Sequence, residues 1–152
     1  MEPNPNTVGA AVAETLSERE MTLGTVECGV DGVISHRFFE TPLGPDVLGS
    51  SLVTDDLEEA IVLIDLPRPQ FKNKGDFSAK AARAAAREGR GFLGVSLCMV
   101  VWAKGPTLEE SLEHPIHLAV SVGGDVVDQT VRVMSGDHLV EWAYKMMREA
   151  LG

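Results

Sequence analysis

The run Phe92–Trp102 constrains this chain more than any other feature, being its most apolar segment and free of charged side chains. A strand built from it needs cover on both faces, so helices have to pack on each side of its sheet. The flanking segments supply them. Residues 7–19 place Val8, Ala11, Val12 and Leu16 on one face, with Asn6 or Thr7 as cap. Residues 32–40 set Val33, Ile34, Arg37 and Phe38 at helical spacing. Ser78 caps an alanine-rich run, Ala79–Gly89. The last helix, His138–Leu151, takes Asp137 as its expected N-cap and buries Leu139, Ala143, Met146, Met147 and Ala150.

Leu23–Val26, Ser50–Thr54, Ile116–Val122 and Val126–Met134 read as further strands, the last two joined by a hairpin turn at Gly123-Gly124-Asp125. Pro42–Pro45 reads as a loop. Asp56–Ile61 is a short helical turn, and Ile61–Leu66 fits either a buried strand or the end of that turn. Pro67–Asp76 is the only locally basic loop, and an acidic loop runs from Gly105-Pro106 through Glu113. This order predicts a three-layer α/β/α sandwich with a mixed sheet, its closing hairpin an antiparallel edge. The chain of 152 residues fits one domain, residues 7–152, behind a short frayed tail at residues 1–6. A domain of this size buries roughly 70% of its unfolded surface. Aliphatic side chains have to carry that core, because aromatics make up only 5% of the chain.

A net charge of −10 with no basic stripe disfavours a nucleic-acid partner. No apolar run reaches the ~18 residues that span a bilayer, so no membrane partner is expected. The two cysteines, Cys28 and Cys98, match no metal-binding spacing, and with no secretory signal they point to a reducing, cytoplasmic setting. No metal or cofactor is expected. His114 and His117 are close in sequence, but His117 fits a sheet face better than a metal site. Cys98 belongs to the core, and Trp142 and Tyr144 read as packing residues of the last helix. The Arg68–Lys74 loop is expected to be solvated rather than to bind an anion. Asp55–Glu59 fits an exposed helix start, where acids favour the dipole, better than a cation site.

The stretch most relevant to function is 21–32, a strand that meets a two-glycine turn before a helix opens near Asp31. Such junctions bind ligands in α/β proteins, because the free N–H groups of the helix start point at the bound group. Here the residues Val26-Glu27-Cys28-Gly29-Val30-Asp31-Gly32 resemble the Ala-Glu-Ser-Cys-Thr-Gly-Gly motif of the CinA C-terminal domain family. The likeness runs through nearly the whole chain. Pro42–Gly49 stands at the family's Pro-Gly-Ser-Ser segment. Asp55–Ala60 stands at its Tyr-Ser-Asn-Glu-Ala-Lys stretch, and Ile64–Pro67 at its Leu-Gly-Val-Pro. Ala82-Arg83 and Ala86 are in step with its Val-Ser-Glu-x-x-Ala-Arg-x-x-Ala helix. Val101–Pro106 replaces its Thr-Gly-Ile-Ala-Gly-Pro loop, and Gly136-Asp137 matches its Gly-Asp-Arg helix start. Known members of the family are nicotinamide-nucleotide amidases, which convert nicotinamide mononucleotide to nicotinic acid mononucleotide.

The catalytic positions depart from that pattern. By the resemblance, the nucleophilic serine is Cys28 here, its activating lysine is Ala60 with Glu59 beside it, and the Thr-Gly pair is Val101-Trp102. A thiol needs a base less than a hydroxyl does, and a helix N-terminus lowers its pKa. Neighbouring Asp55, Asp56, Glu58 and Glu59 oppose the thiolate. Asp31 replaces a cradle glycine and would repel an anion, or else act as a cap. Glu27 either bonds turn amides or touches a ligand. Trp102, if it points inward, fills space meant for substrate.

Two functions follow from the resemblance. One is a diverged or inactive binding or interaction protein, holding a small nucleotide-like ligand in a remodelled pocket between the Cys28–Gly32 turn and the Trp102–Pro106 loop. Its contact residues would be Glu27, Gly29, Val30, Asp31, Gly32, Trp102 and Gly105. The other is an amidohydrolase acting on nicotinamide mononucleotide or a related amide with Cys28 as nucleophile. A homo-oligomer through an exposed face of the Ala79–Gly89 or Val140–Leu151 helix is open to either.

Overall fold

The computed structural model describes residues 5–67 and 76–152. Five strands form one mixed sheet in the order β2-β1-β3-β4-β5: β1 Leu23–Cys28, β2 Leu48–Thr54, β3 Leu97–Trp102, β4 Ile116–Val122 and β5 Asp125–Val131. β1 runs parallel to β2 and β3, while β3–β4 and β4–β5 are antiparallel. Every residue of β1 and β3 is buried, as the apolar run requires. One face of the sheet is covered by α1 (Pro5–Glu18), α2 (Val33–Phe39), α3 (Gly44–Val47) and α7 (Gly136–Leu151), which share a core of Leu16, Phe38, Met99, Leu118 and Tyr144. The other is covered by α4 (Leu57–Ile64) and α5 (Ala79–Leu93), around Val26, Ile61, the alanines of α5, Val100 and Trp102. A short α6 (Leu108–Ser111) follows β3. The architecture is the expected three-layer α/β/α sandwich.

Local differences have local causes. α1 takes in Pro5 and Asn6, so the helix starts inside the expected tail; residues 1–4 lie outside the described residues. Pro42–Pro45 is not all loop, because Pro45 stands in the first turn of α3, where a missing N–H costs nothing. Ile61–Leu66 resolves as helix through Ile64: Asp56 caps the start by accepting from Glu58 N at 2.9 Å, and Asp65 ends it at φ 61°. Phe92 and Leu93 finish α5 instead of starting β3, since Gly94 terminates the helix at φ 68°. Most of the basic loop, including Arg68–Lys74, lies outside the described residues.

The N-cap of α7 is Ser135 rather than Asp137: the Ser135 hydroxyl oxygen accepts from His138 N at 3.1 Å, while Asp137 pairs with Arg37 at 2.5 Å. Ser135→Ala is therefore expected to cost about 1 kcal/mol in urea unfolding. Asp137→Ala should cost less, because the Asp137 side chain is 70% exposed and surface ion pairs contribute little.

Candidate functional site

The sheet order reverses at β1: the chain leaves it for β2 on one side, and β3 lies on the other. Open α/β sheets bind ligands outside the carboxyl ends of strands at such a point. Three segments meet there, the Gly29–Gly32 turn after β1, Thr54–Asp56 after β2, and Ala103–Pro106 after β3.

The turn is built from left-handed residues, Gly29 (φ 78°), Asp31 (φ 58°) and Gly32 (φ 69°). It wraps tightly on the β3 side. A Cβ at Gly29 would collide with the Gly105 carbonyl oxygen, and one at Gly105 would press on Ser111 N at 2.7 Å. Buried Ser111 ties the two segments: its Oγ is 2.6 Å from the Gly29 carbonyl, 3.1 Å from the Gly105 carbonyl, and accepts from Gly105 N at 3.1 Å. At Gly29 and Gly105 the turn and the Trp102–Pro106 loop are in direct backbone contact. A cleft of about 340 Å³ borders both segments and extends toward β2, lined by Asp31, Val53, Thr54, Asp55, Glu59 and Pro106.

The helix start that such a junction offers to an anion is already occupied by the protein. Glu27 is fully buried and turns its carboxylate under α2. Oε1 accepts from Ile34 N at 2.7 Å, and Oε2 accepts from Ser35 N at 3.2 Å and from the Thr25 hydroxyl at 2.8 Å. Thr25 Oγ1 lies 2.8 Å in turn from Ser51 Oγ on β2. Gly32, the N-cap of α2, has no side chain to do this work. Burial pushes the Glu27 carboxyl above its ordinary 4.5, and the bonds from Ser35, Thr25 and Ile34 pull the other way. Asp31 caps a different helix, accepting from Leu108 N of α6 at 3.1 Å. Val30 is buried in the core of the α1–α7 layer.

Cys28 has no exposed surface, and its side chain belongs to the core under α4 and α5. Burial pushes its thiol up to about 12, and the carboxylates of Glu27, Asp56 and Glu59 add to the shift. A thiol with that pKa leaves on the order of one thiolate in 10⁵ at pH 7. Trp102 is the direct cross-strand neighbour of Cys28 and is equally buried, its Nε1 donating to the Asp76 carbonyl at 2.7 Å. Ala60, the position of the expected lysine, lies in the same cluster. Positions 28, 60 and 102, which the resemblance assigns to one site, all fall in this buried cluster. Sequence reasoning missed Thr25, Ser51 and Ser111, which act through hydroxyls that no motif marks.

The other singled-out residues lie away from the cleft or serve structure. His117 bonds Thr130 at 2.8 Å and lies against Phe77 with the rings tilted by 46°, and burial lowers its pKa. His36 sits 3.9 Å from Glu40 at the surface, and His138 accepts from Met134 N. Cys98 is buried with its thiol pushed up to about 12. Among the described residues, no group of His, Cys, Asp and Glu gathers to hold a metal ion, and no helix is long and apolar enough to cross a membrane.

No family model matches the chain. It is 35% identical over 102 residues to a CinA-like protein of Geobacter sulfurreducens, a match that takes in 63% of this chain. The chain spans only 23% of that relative's length. Among solved structures it superposes on a competence or damage-inducible protein from Enterobacter asburiae with a TM-score of 0.86 at 12% identity, covering 99% of this chain and 100% of that one. The competence/damage inducible protein CihA from Agrobacterium tumefaciens gives 0.82 at 16% identity, covering 99% and 97%. A CinA superfamily protein from Escherichia coli gives 0.77 at 14%, covering 97% and 88%. The resemblance read from the motifs is borne out: the chain is CinA-like in sequence and in fold.

Proposed function

We propose that this CinA-like chain is a binding or interaction protein that does not run the nicotinamide mononucleotide amidase reaction. The observation that carries this reading is the burial of Cys28 in an apolar cluster with Ala60 and Trp102. An amidase of this type needs a nucleophile in contact with substrate and a base to activate it. Here the thiol at that position is covered and pushed up to about 12, and the position of the base is an alanine of the same cluster. The three departures act together: the indole shares one apolar cluster with a small thiol and a small alanine, so the positions that the resemblance implies for a catalytic pair carry packing side chains.

The cleft that does open favours a different ligand. Asp31, Asp55 and Glu59 line it, and no described basic side chain does. A phosphate placed at about 5 Å from a carboxylate is opposed by roughly 1–3 kcal/mol for each pair of unit charges in water-exposed surroundings. A neutral or cationic ligand, or a basic partner segment, suits those walls better than a nucleotide.

Incubation of the pure protein with nicotinamide mononucleotide is expected to release no ammonia and no acid product. Turnover that vanishes in Cys28→Ala would overturn the proposal in favour of the amidohydrolase. In the same samples, neither Cys28 nor Cys98 should take up iodoacetamide while the protein is folded, and both should in urea, as read by intact mass. Selective alkylation of Cys28 in the folded protein would count equally against the reading.

A further inference from the structure

We infer that this chain binds a basic amphipathic helix of a partner protein in the groove between β5 and α7. The groove follows from where the layers end. Residues directly opposite on antiparallel strands share a face, so Val127 and Asp125 of β5 lie on the same side as Val120 and Val122 of β4. On that side α7 packs over β4 and β3. Val120 is 1% exposed, yet its direct partner Val127 is 47% exposed. The helical layer therefore stops between β4 and β5. The opposite face of β5 is covered: α5 reaches it, and Arg83 of α5 pairs with Asp128, the cross-strand partner of buried Ala119. One helix position of the three-layer sandwich, over β5 and beside α7, is thus left unfilled by the described residues.

The walls of the groove specify its occupant. Two adjoining hollows of about 240 and 270 Å³ share Val127, Glu149 and Ala150. Val120, Val122 and Val127 give an apolar floor, and Met146 and Ala150 an apolar wall. A helix with apolar side chains three and four residues apart lays that face into such a trough. Asp125 and Glu149 stand beside the trough, and no described basic side chain lines it. Lysine or arginine flanking the apolar face of the incoming helix would meet those carboxylates, so the charges are complementary. A second copy of this chain does not suit the groove. It too carries a net charge of −10, and α4, which exposes Val62 and Leu63, also bears Glu58 and Glu59. The groove shares no residue with the cleft at Asp31, Asp55 and Glu59, so amide hydrolysis at Cys28 would leave this inference untouched.

The test is fluorescence anisotropy of a labelled leucine–lysine amphipathic helix titrated with the full chain at physiological salt. Saturable binding in the micromolar range is expected, and the same peptide with glutamate in place of lysine should not bind. Val127→Lys and Glu149→Lys, both at exposed positions, should each weaken binding about tenfold with an unchanged circular dichroism spectrum and melting temperature. Glu59→Lys, in the cleft, changes the net charge as much as Glu149→Lys does and should leave the affinity nearly unchanged. As an independent measurement on the wild type, the lysine peptide should slow hydrogen exchange in β5 and the carboxyl-terminal half of α7. Absence of saturable binding overturns the inference, and so does equal binding of the glutamate peptide. Equal weakening by Glu149→Lys and Glu59→Lys would overturn it as attraction to net charge alone. Protection of residues 53–59 in place of β5 would overturn it by putting the peptide in the cleft.

Discussion

Trp102→Gly, which installs the residue the CinA resemblance places at that position, is expected to unfold the protein or nearly so instead of opening a working pocket. The indole is fully buried on the α4–α5 side of the sheet, next to Cys28 across the β1–β3 pair. Its removal leaves a cavity between the end of β3 and two helices. Large-to-small changes of this size cost about 3–5 kcal/mol for Trp→Ala, and glycine in a strand adds roughly 0.5–1 kcal/mol. The Asp76 carbonyl would also lose its donor. Single domains have only about 5–15 kcal/mol in hand, so the loss takes most of a typical margin. Urea unfolding measures it directly. Trp102→Phe separates the two contributions: it keeps most of the volume but no N–H, and should cost about 1–3 kcal/mol. A Trp102→Gly protein as stable as the wild type, with a reactive Cys28, would show instead that the indole plugs a preformed pocket.

The layers of this fold were legible because their signals are physical requirements. An uncharged run such as Leu97–Trp102 can be satisfied only by burial on both faces, and the periodic apolar face of α7 can be satisfied only against a core. Signals that compete were harder to resolve. Ile61–Leu66 has no period of its own, so only the Asp56 cap and the left-handed Asp65 decide for helix. Ser135 and Asp137 stand on either side of the first residue of α7 and are both good capping types, but the helix opens at Gly136, and Asp137, inside its first turn, pairs with Arg37. The site shows the same limit. Its glycine turn could be located from the spacing of Gly29 and Gly32. Its contents depended on where Ser111 and Gly105 fold back upon it, which is a tertiary fact. For Glu27, the choice between bonding amides and touching a ligand was left open, and the geometry answers it with bonds to Ile34 N and Ser35 N.

Glu27→Ala is expected to cost about 3–5 kcal/mol near neutral pH, because it removes the shared acceptor of three donors, two of them buried and the third half-buried. Ile34 N, Ser35 N and the Thr25 hydroxyl would each lose a partner, and a buried donor left unsatisfied costs about 1–3 kcal/mol. Thr25 can turn to Ser51, which keeps the sum near the lower part of that range. Glu27→Gln should cost less, since its carbonyl still accepts from Ile34 N while its NH₂ opposes only Ser35 N. The pH dependence distinguishes this carboxyl from an ordinary cap. Its folded-state pKa is raised above 4.5 because burial outweighs the hydrogen bonds. From 4.5 upward the folded protein therefore holds more protons at this site than the unfolded chain does. Its contribution to stability is complete below 4.5 and declines as pH rises through the folded value. Glutamine does not titrate, so the deficit of Glu27→Gln relative to wild type should be largest at acid pH and shrink as pH rises. Parallel urea titrations of the two proteins across that range read the difference. A deficit that grows with pH would mean that Glu27 is held as a carboxylate by the start of α2, in which case the helix N-terminus outweighs the burial.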